Sequence, residues 1–256
     1  LARRGRWLPS HGMLFETIRR LPADFWYFLS RLGEMQLRLP IALALVAWLV
    51  WAGEGRRAAL WLAMVLLAVG ITAASKIAFI GWGIGSARLD FTGFSGHAMH
   101  AAAVMPLLAG SIAAGSRRWV RLGAVTVALA LAMLVALARI KVGAHSPSEA
   151  LLGYLLGALA SSLALALGHP PHAHPQRWLL ASVFAALLLN SSVMPTLPTH
   201  DVVTRVALKL SGRDRPYTRH MMLRDERPRQ QKAEPVVAAP RYRASEVEFF
   251  TSSITA

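Results

Sequence analysis

The chain has 256 residues, of which 55% are apolar, and its formal net charge of +15 is concentrated toward its two ends. This distribution is typical of a membrane protein whose basic residues lie next to anionic lipid headgroups, so nucleic acid is not expected as a partner. Because the chain contains no cysteine, disulfides, thiolate catalysis and thiolate metal sites are excluded.

Residues 1–38 combine arginines with aromatic side chains and lack a continuous apolar run. This composition favours an amphipathic helix in the headgroup region, so we expect a basic interfacial N-terminal segment. No cleavable signal peptide is expected, because the apolar region and the small-residue cleavage site are both missing.

Uncharged stretches follow, most of them about as long as a membrane span. They lie at 39–53, 58–75, 101–116, 122–138, 150–168 and 178–199. A hydrocarbon core roughly 30 Å thick needs about 20 apolar residues per helix. The sequence therefore predicts an all-α fold, a polytopic transmembrane helix bundle of about six spans in a domain at 39–195.

The loops between these stretches are of two kinds. Loops 53–57 and 116–121 are short and basic, whereas 76–98 and 139–149 carry lysine, arginine, histidine and carboxylate side chains. If each span crosses once, the second pair of loops emerges on one membrane face. The basic short loops favour the cytoplasm, which places the other face outside it.

A glycine-rich stretch at 81–96 is expected to be a loop that ends at a helix start. Ser95 would lie near the N-cap, with the backbone N–H groups of Gly96 and His97 available to a phosphate. His100 lies one turn beyond His97, so a metal site is an alternative, but a third ligand is missing. Neither a metal nor a cofactor is therefore expected.

Two further cations flank or occupy this loop. Lys76 ends a predicted span, where a lysine commonly anchors a helix in the headgroups. Arg88 lies within the loop, either as a solvated charge or as a partner of Asp90.

Arg139, His145 and Glu149 follow one another directly before an apolar stretch. A guanidinium binds phosphate oxygens, an imidazole can attack phosphorus, and a carboxylate one turn away can hold that imidazole in the attacking tautomer. The alternative is structural, because Ser146, Pro147 and Glu149 also match a helix-capping box. Three costly polar groups at one membrane boundary favour the functional interpretation.

Residues 196–256 are polar, basic and interrupted by prolines. One amphipathic helix is predicted at about 201–211, ended by Gly212. Beyond it, the composition is typical of a largely disordered tail that lies along an anionic membrane surface.

In chain order, these motifs resemble those of the type 2 phosphatidic acid phosphatase family, which also includes the vanadium haloperoxidases. That family carries Lys-x6-Arg-Pro, then Pro-Ser-Gly-His, then Ser-Arg-x5-His-x3-Asp. The corresponding residues here are Lys76, then Phe94-Ser95-Gly96-His97, then Arg139, His145 and Glu149. The resemblance extends from about residue 40 to residue 195.

The resemblance implies a helical membrane bundle and metal-independent hydrolysis through a phosphohistidine. It assigns the nucleophile to His145, the orienting acid to Glu149 and the general acid to His97. The implied phosphate-binding residues are Lys76, Ser95, Gly96 and Arg139, with Arg88 as the only nearby replacement for the arginine of the first motif.

The sequence departs from the family pattern at Gly83, Phe94, Ala138 and Glu149. Gly83 occupies the position of the first motif's arginine. Glu149 replaces an aspartate and adds a methylene, which can displace the imidazole by about 1 Å and slow the reaction on the order of 10²-fold.

We therefore expect a multi-pass lipid phosphatase of a bacterial inner membrane, with its active site at the periplasmic or outer face. Its partners would be a phosphorylated lipid substrate and the surrounding lipids. The alternative is a non-catalytic member of the same scaffold that binds anionic lipid, since the first motif is incomplete. An ion carrier would need polar residues inside the spans, which nearly lack them.

Overall fold

The structure, a computed structural model, describes residues 21–167 and 199–225 and the isolated positions 181, 183 and 185. The named helices in these ranges are α1 Ala23–Arg31, α2 Met35–Trp51, α3 Gly55–Trp82, α4 Gly96–Ile112, α5 Arg118–Lys141, α6 Pro147–Leu167 and α7 Thr199–Ser211. Residues 219–225 are also helical. Within the described ranges, the β structure is limited to a single bridge between Ser86 and Phe91. The predicted all-α fold class is confirmed.

Three helices are long and apolar enough to cross a membrane, namely α3, α5 and α6. Two shorter helices, α2 and α4, have 17 residues each. Five of the six predicted stretches thus coincide with α2 to α6 of a polytopic membrane bundle. The sixth, at 178–199, lies almost entirely outside the described residues, as do residues 1–20 of the predicted interfacial segment.

Helix α4 lies against α6 at very short range, because α6 presents two glycines to it. A Cβ at Gly153 or at Gly157 would overlap the carbonyl oxygens of Ser95 and Met99, respectively. This Gly-x3-Gly spacing is the one that lets membrane helices approach closely. As a result, the Ser95 N–H donates to the Glu149 carbonyl oxygen at 3.0 Å, which joins the starts of the two helices.

Helix α1 packs against the C-terminal half of α5. Trp26 and Leu29 are buried against Ala138, whereas Tyr27 and Phe28 are exposed. Helix α1 thus buries one part of its aromatic surface against α5 and exposes another, and the interfacial position of the N-terminal segment stays a prediction.

The helix predicted at about 201–211 is present as α7, but the expected absence of structure beyond it does not hold for residues 213–225. The Tyr217 N–H donates to the Ile80 carbonyl oxygen at 2.9 Å, and the Tyr217 and Phe79 rings meet edge to face at 5.5 Å. Met222 is buried in the same cluster. The physical reason is the end of α3, whose last carbonyls and apolar side chains need partners that its own helix cannot supply.

Candidate active site

The two loops rich in polar side chains meet at one end of the bundle, as predicted. The Ser148 hydroxyl donates to the Leu89 carbonyl oxygen at 2.7 Å, and the Thr92 N–H donates to the Glu149 carboxylate at 2.7 Å. The loop between α3 and α4 is thereby joined to the start of α6.

His145 and Glu149 form a hydrogen-bonded pair, with Nδ1 and Oε2 separated by 2.8 Å. The Glu149 side chain is fully buried, and the His145 side chain is 14% exposed. Because Nδ1 faces the carboxylate, Nε2 on the opposite edge of the ring is the nitrogen that can act as a nucleophile. The added methylene of glutamate therefore does not prevent contact with the imidazole.

Glu149 also fulfils the structural alternative. Its backbone N–H donates to the Ser146 hydroxyl at 3.3 Å, and the Ser146 N–H donates back to Oε2 at 3.2 Å. This is the capping box predicted from the sequence. The cap and the contact with the histidine coexist, because one carboxylate oxygen accepts both hydrogen bonds.

The second carboxylate oxygen of Glu149 has partners that the sequence did not reveal. Oε1 accepts hydrogen bonds from the Thr92 N–H at 2.7 Å, the Thr92 hydroxyl at 2.5 Å and Arg219 Nη2 at 2.8 Å. Arg219 Nη1 also donates to Asp90 at 2.7 Å. No sequence signal pointed to Arg219, which lies in the segment predicted to lack structure.

Two donors near this pair lack hydrogen-bond partners among the described residues. Arg139 Nη1 donates to the Ser30 hydroxyl at 2.6 Å, but Arg139 Nε is buried without a partner among the described residues. The buried Ser95 hydroxyl likewise has none within the described part of the chain. Lys76 lies against Gly93, where a Cβ would come within 2.8 Å of Lys76 Cγ. The Arg139 Nε and Ser95 hydroxyl groups, buried without described partners, indicate a site for an acceptor.

The pKa values of His97 and His145 also indicate a site for an anion. Burial, together with the nearby charges of Arg139 and His145, lowers the pKa of His97 to about 3. Burial also lowers the pKa of His145, and the hydrogen bond that its Nδ1–H donates to Glu149 partly opposes this by raising the pKa. Both imidazoles are therefore neutral near pH 7, and the surrounding positive groups favour an anion.

Arg88 is exposed on the loop between α3 and α4. Asp90, the partner suggested for it by the sequence, pairs instead with Arg219. Among residues 21–167 and 199–225, no group of three histidine, aspartate or glutamate side chains is arranged to hold a metal ion.

The family model described as PAP2 superfamily matches residues 82–170, a range that includes every motif residue except Lys76. A Klebsiella pneumoniae relative, described as an uncharacterized 22.5 kDa protein in the cps region, is 33% identical over 199 residues, which cover 76% of this chain and 95% of the relative. No solved structure matches the chain. The protein is a member of the PAP2 superfamily, as its motifs predicted.

Proposed function

We propose that this protein is an integral membrane phosphatase that hydrolyses a phosphate monoester or diphosphate of a lipid through a phosphohistidine. Members of the PAP2 superfamily generally hydrolyse phosphate esters. The observation that carries the proposal is the hydrogen-bonded pair of His145 and Glu149 beside the buried Ser95 hydroxyl and Arg139 Nε, which have no partner among the described residues.

In the first step, Nε2 of neutral His145 attacks phosphorus and the bond from phosphorus to the lipid oxygen breaks. The imidazole gains positive charge as the new bond forms, and Glu149 stabilises that charge through Nδ1. The Arg139 guanidinium, the Lys76 ammonium and the start of α4 at Ser95 supply positive potential for the phosphate oxygens.

His97 supplies and later removes a proton. With a pKa of about 3, it is neutral near pH 7 until a phosphate arrives. A phosphate dianion favours the imidazolium, so His97 takes up a proton from solvent in the complex and donates it to the departing lipid oxygen. Neutral His97 then accepts a proton from the water that attacks the phosphohistidine, which releases inorganic phosphate and regenerates both histidines.

The decisive experiment is phosphate release in detergent, with EDTA present, from phosphatidic acid, phosphatidylglycerol phosphate, a polyprenyl diphosphate and phosphorylated lipid A. The unmodified protein is compared with His145→Ala and with His200→Ala, an exposed histidine on α7. We expect release from the unmodified protein and from His200→Ala only. Activity that persists in His145→Ala would contradict the mechanism, and activity lost in EDTA would contradict metal independence.

A second candidate is a non-catalytic lipid-binding protein, which is favoured by Gly83 at the position of the first motif's arginine. It predicts binding of anionic lipid vesicles without any time-dependent release of phosphate. Turnover that disappears in both His97→Ala and His145→Ala would exclude it.

The proposed location is a bacterial inner membrane with the site at its outer face. The opposite end of the bundle carries the short basic loops, with Arg117 and Arg118 at the start of α5. Because the chain has no cysteine, the exposed positions Arg88 and Ser116 can each be replaced by cysteine. An impermeant maleimide added to intact cells should label Arg88→Cys but not Ser116→Cys, and the reverse would overturn this orientation.

A further inference from the structure

The C-terminal segment places one charged side chain in the candidate site. The Arg219 guanidinium donates to Glu149 Oε1 at 2.8 Å and to Asp90 Oδ2 at 2.7 Å. Its side chain is 35% exposed, whereas that of Glu149 is fully buried. Arg219 thus connects the loop between α3 and α4 to the start of α6.

The position of Arg219 relative to the nucleophile defines what it can do. Glu149 Oε2 faces His145 Nδ1 at 2.8 Å, and Arg219 contacts the other carboxylate oxygen. The attacking nitrogen, Nε2, lies on the far edge of the imidazole. Arg219 therefore lies on the side of His145 opposite to the attacking nitrogen, and it acts on His145 through the Glu149 carboxylate.

The segment that carries Arg219 is held in place by contacts on both sides of it. Upstream, the Tyr217 backbone and ring bind the last turns of α3 at Ile80 and Phe79. Downstream, Met222 is buried at 5% exposure, and Asp225 accepts a hydrogen bond from the Tyr217 hydroxyl at 2.7 Å. These contacts restrict the position of the Arg219 guanidinium, which would be less restricted in a solvated tail.

We infer that Arg219 is a positioning residue that fixes the Glu149 carboxylate toward His145, so that residues 213–225 form part of the active site. This inference rests on the proposed phosphatase function. An arginine suits the role because its planar fork binds two carboxylates at once, which a lysine ammonium does with less geometric control.

The charges around His145 predict a specific consequence of removing Arg219. Glu149 faces the imidazole from α6, Lys76 from α3, Arg139 from α5 and His97 from α4. Without Arg219, the negative charge of Glu149 is shared with fewer cations and stabilises the imidazolium more strongly. The pKa of His145 then rises, and the low-pH limb of the rate profile moves to higher pH.

The test measures kcat, KM and the pH profile of Arg219→Ala, Arg219→Lys and Arg224→Ala with the lipid that the unmodified protein hydrolyses fastest. Arg224 is the matched control, an exposed arginine in the same short helix whose hydrogen bond goes to His220 at 3.4 Å. For Arg219→Ala we expect kcat to fall about 10- to 100-fold, the usual range for losing a group that orients a catalytic side chain. KM should change little, since Arg219 contacts Asp90, Thr92 and Glu149, none of which is assigned to phosphate binding.

Arg219→Lys should keep the low-pH limb nearer to that of the unmodified protein, because the positive charge is retained. Arg224→Ala should behave like the unmodified protein. A lower kcat in Arg219→Ala with an unshifted pH limb would show a merely structural role and overturn the inference, as would unchanged kinetics. Absence of turnover in the unmodified protein would instead overturn the proposed function itself, and with it this role for Arg219.

Discussion

The candidate site has two parts that differ in how far their polar atoms are satisfied. The carboxylate part is Glu149, whose two oxygens accept hydrogen bonds from His145, Ser146, Thr92 and Arg219. The donor part is Ser95 and Arg139, where the hydroxyl and Nε are buried without partners among the described residues. A completed network holds a nucleophile in position before any ligand binds, whereas unmade hydrogen bonds cost stability that an anion can restore.

The largest effect is expected from breaking the carboxylate part with Glu149→Gln. The amide cannot stabilise the positive charge that develops on His145, so kcat should fall about 10³- to 10⁴-fold. Asp90→Asn is the control, because that carboxylate binds Arg219 without contacting His145. Both rates are measured at pH 7, and a Gln variant as active as Asp90→Asn would contradict the assigned role.

A smaller effect is expected from variants that compare the donor part with the carboxylate part by their thermal stability. Ser95→Ala should lower kcat about tenfold or more through loss of one donor, without lowering the melting temperature, because the hydroxyl has no partner within the described residues. Thr92→Val removes a satisfied hydroxyl and should lower stability by about 1–3 kcal/mol. Thermal unfolding in detergent distinguishes them, and equal destabilisation by both variants would refute the contrast.

The effect of His97 on stability near neutral pH is small and grows only as the pH falls. Its folded pKa of about 3 is lowered from 6.5, mainly by burial, so the unfolded chain binds more protons between these values. Stability should therefore fall as the pH drops below 6.5, and phosphate, which favours the imidazolium, should reduce that fall. His97→Gln should flatten the melting-temperature profile relative to His200→Ala. An identical slope in the two variants would argue against a buried neutral His97.

Much of this structure could be predicted from sequence, because its signals are local. The length of the apolar stretches predicted α2 to α6, and the spacing of His145 and Glu149 predicted both their hydrogen bond and the helix cap. Arg219 could not be predicted, since it meets Glu149 from 70 residues away and lies in a segment of polar composition. The order of that segment comes from contacts with the end of α3, which no local pattern encodes. Arg88 was a reasonable phosphate ligand by position, yet it is exposed.

The length of α3 has a consequence for the thickness of membrane in which the protein works best. Its 28 residues correspond to about 42 Å of helix, against a hydrocarbon core of roughly 30 Å. Arg57 and Lys76 enclose 18 uncharged residues, about 27 Å of helix. The hydrocarbon boundary is therefore expected near Lys76, and the turns of α3 that bind Tyr217 are expected among the headgroups. The phosphate of a membrane lipid would then lie at the same depth in the bilayer as the candidate site. In a thicker bilayer, the hydrocarbon would exceed the apolar length of α3 and would draw Lys76 into it. Turnover in vesicles should therefore decline as the acyl chains lengthen beyond the thickness that matches α3.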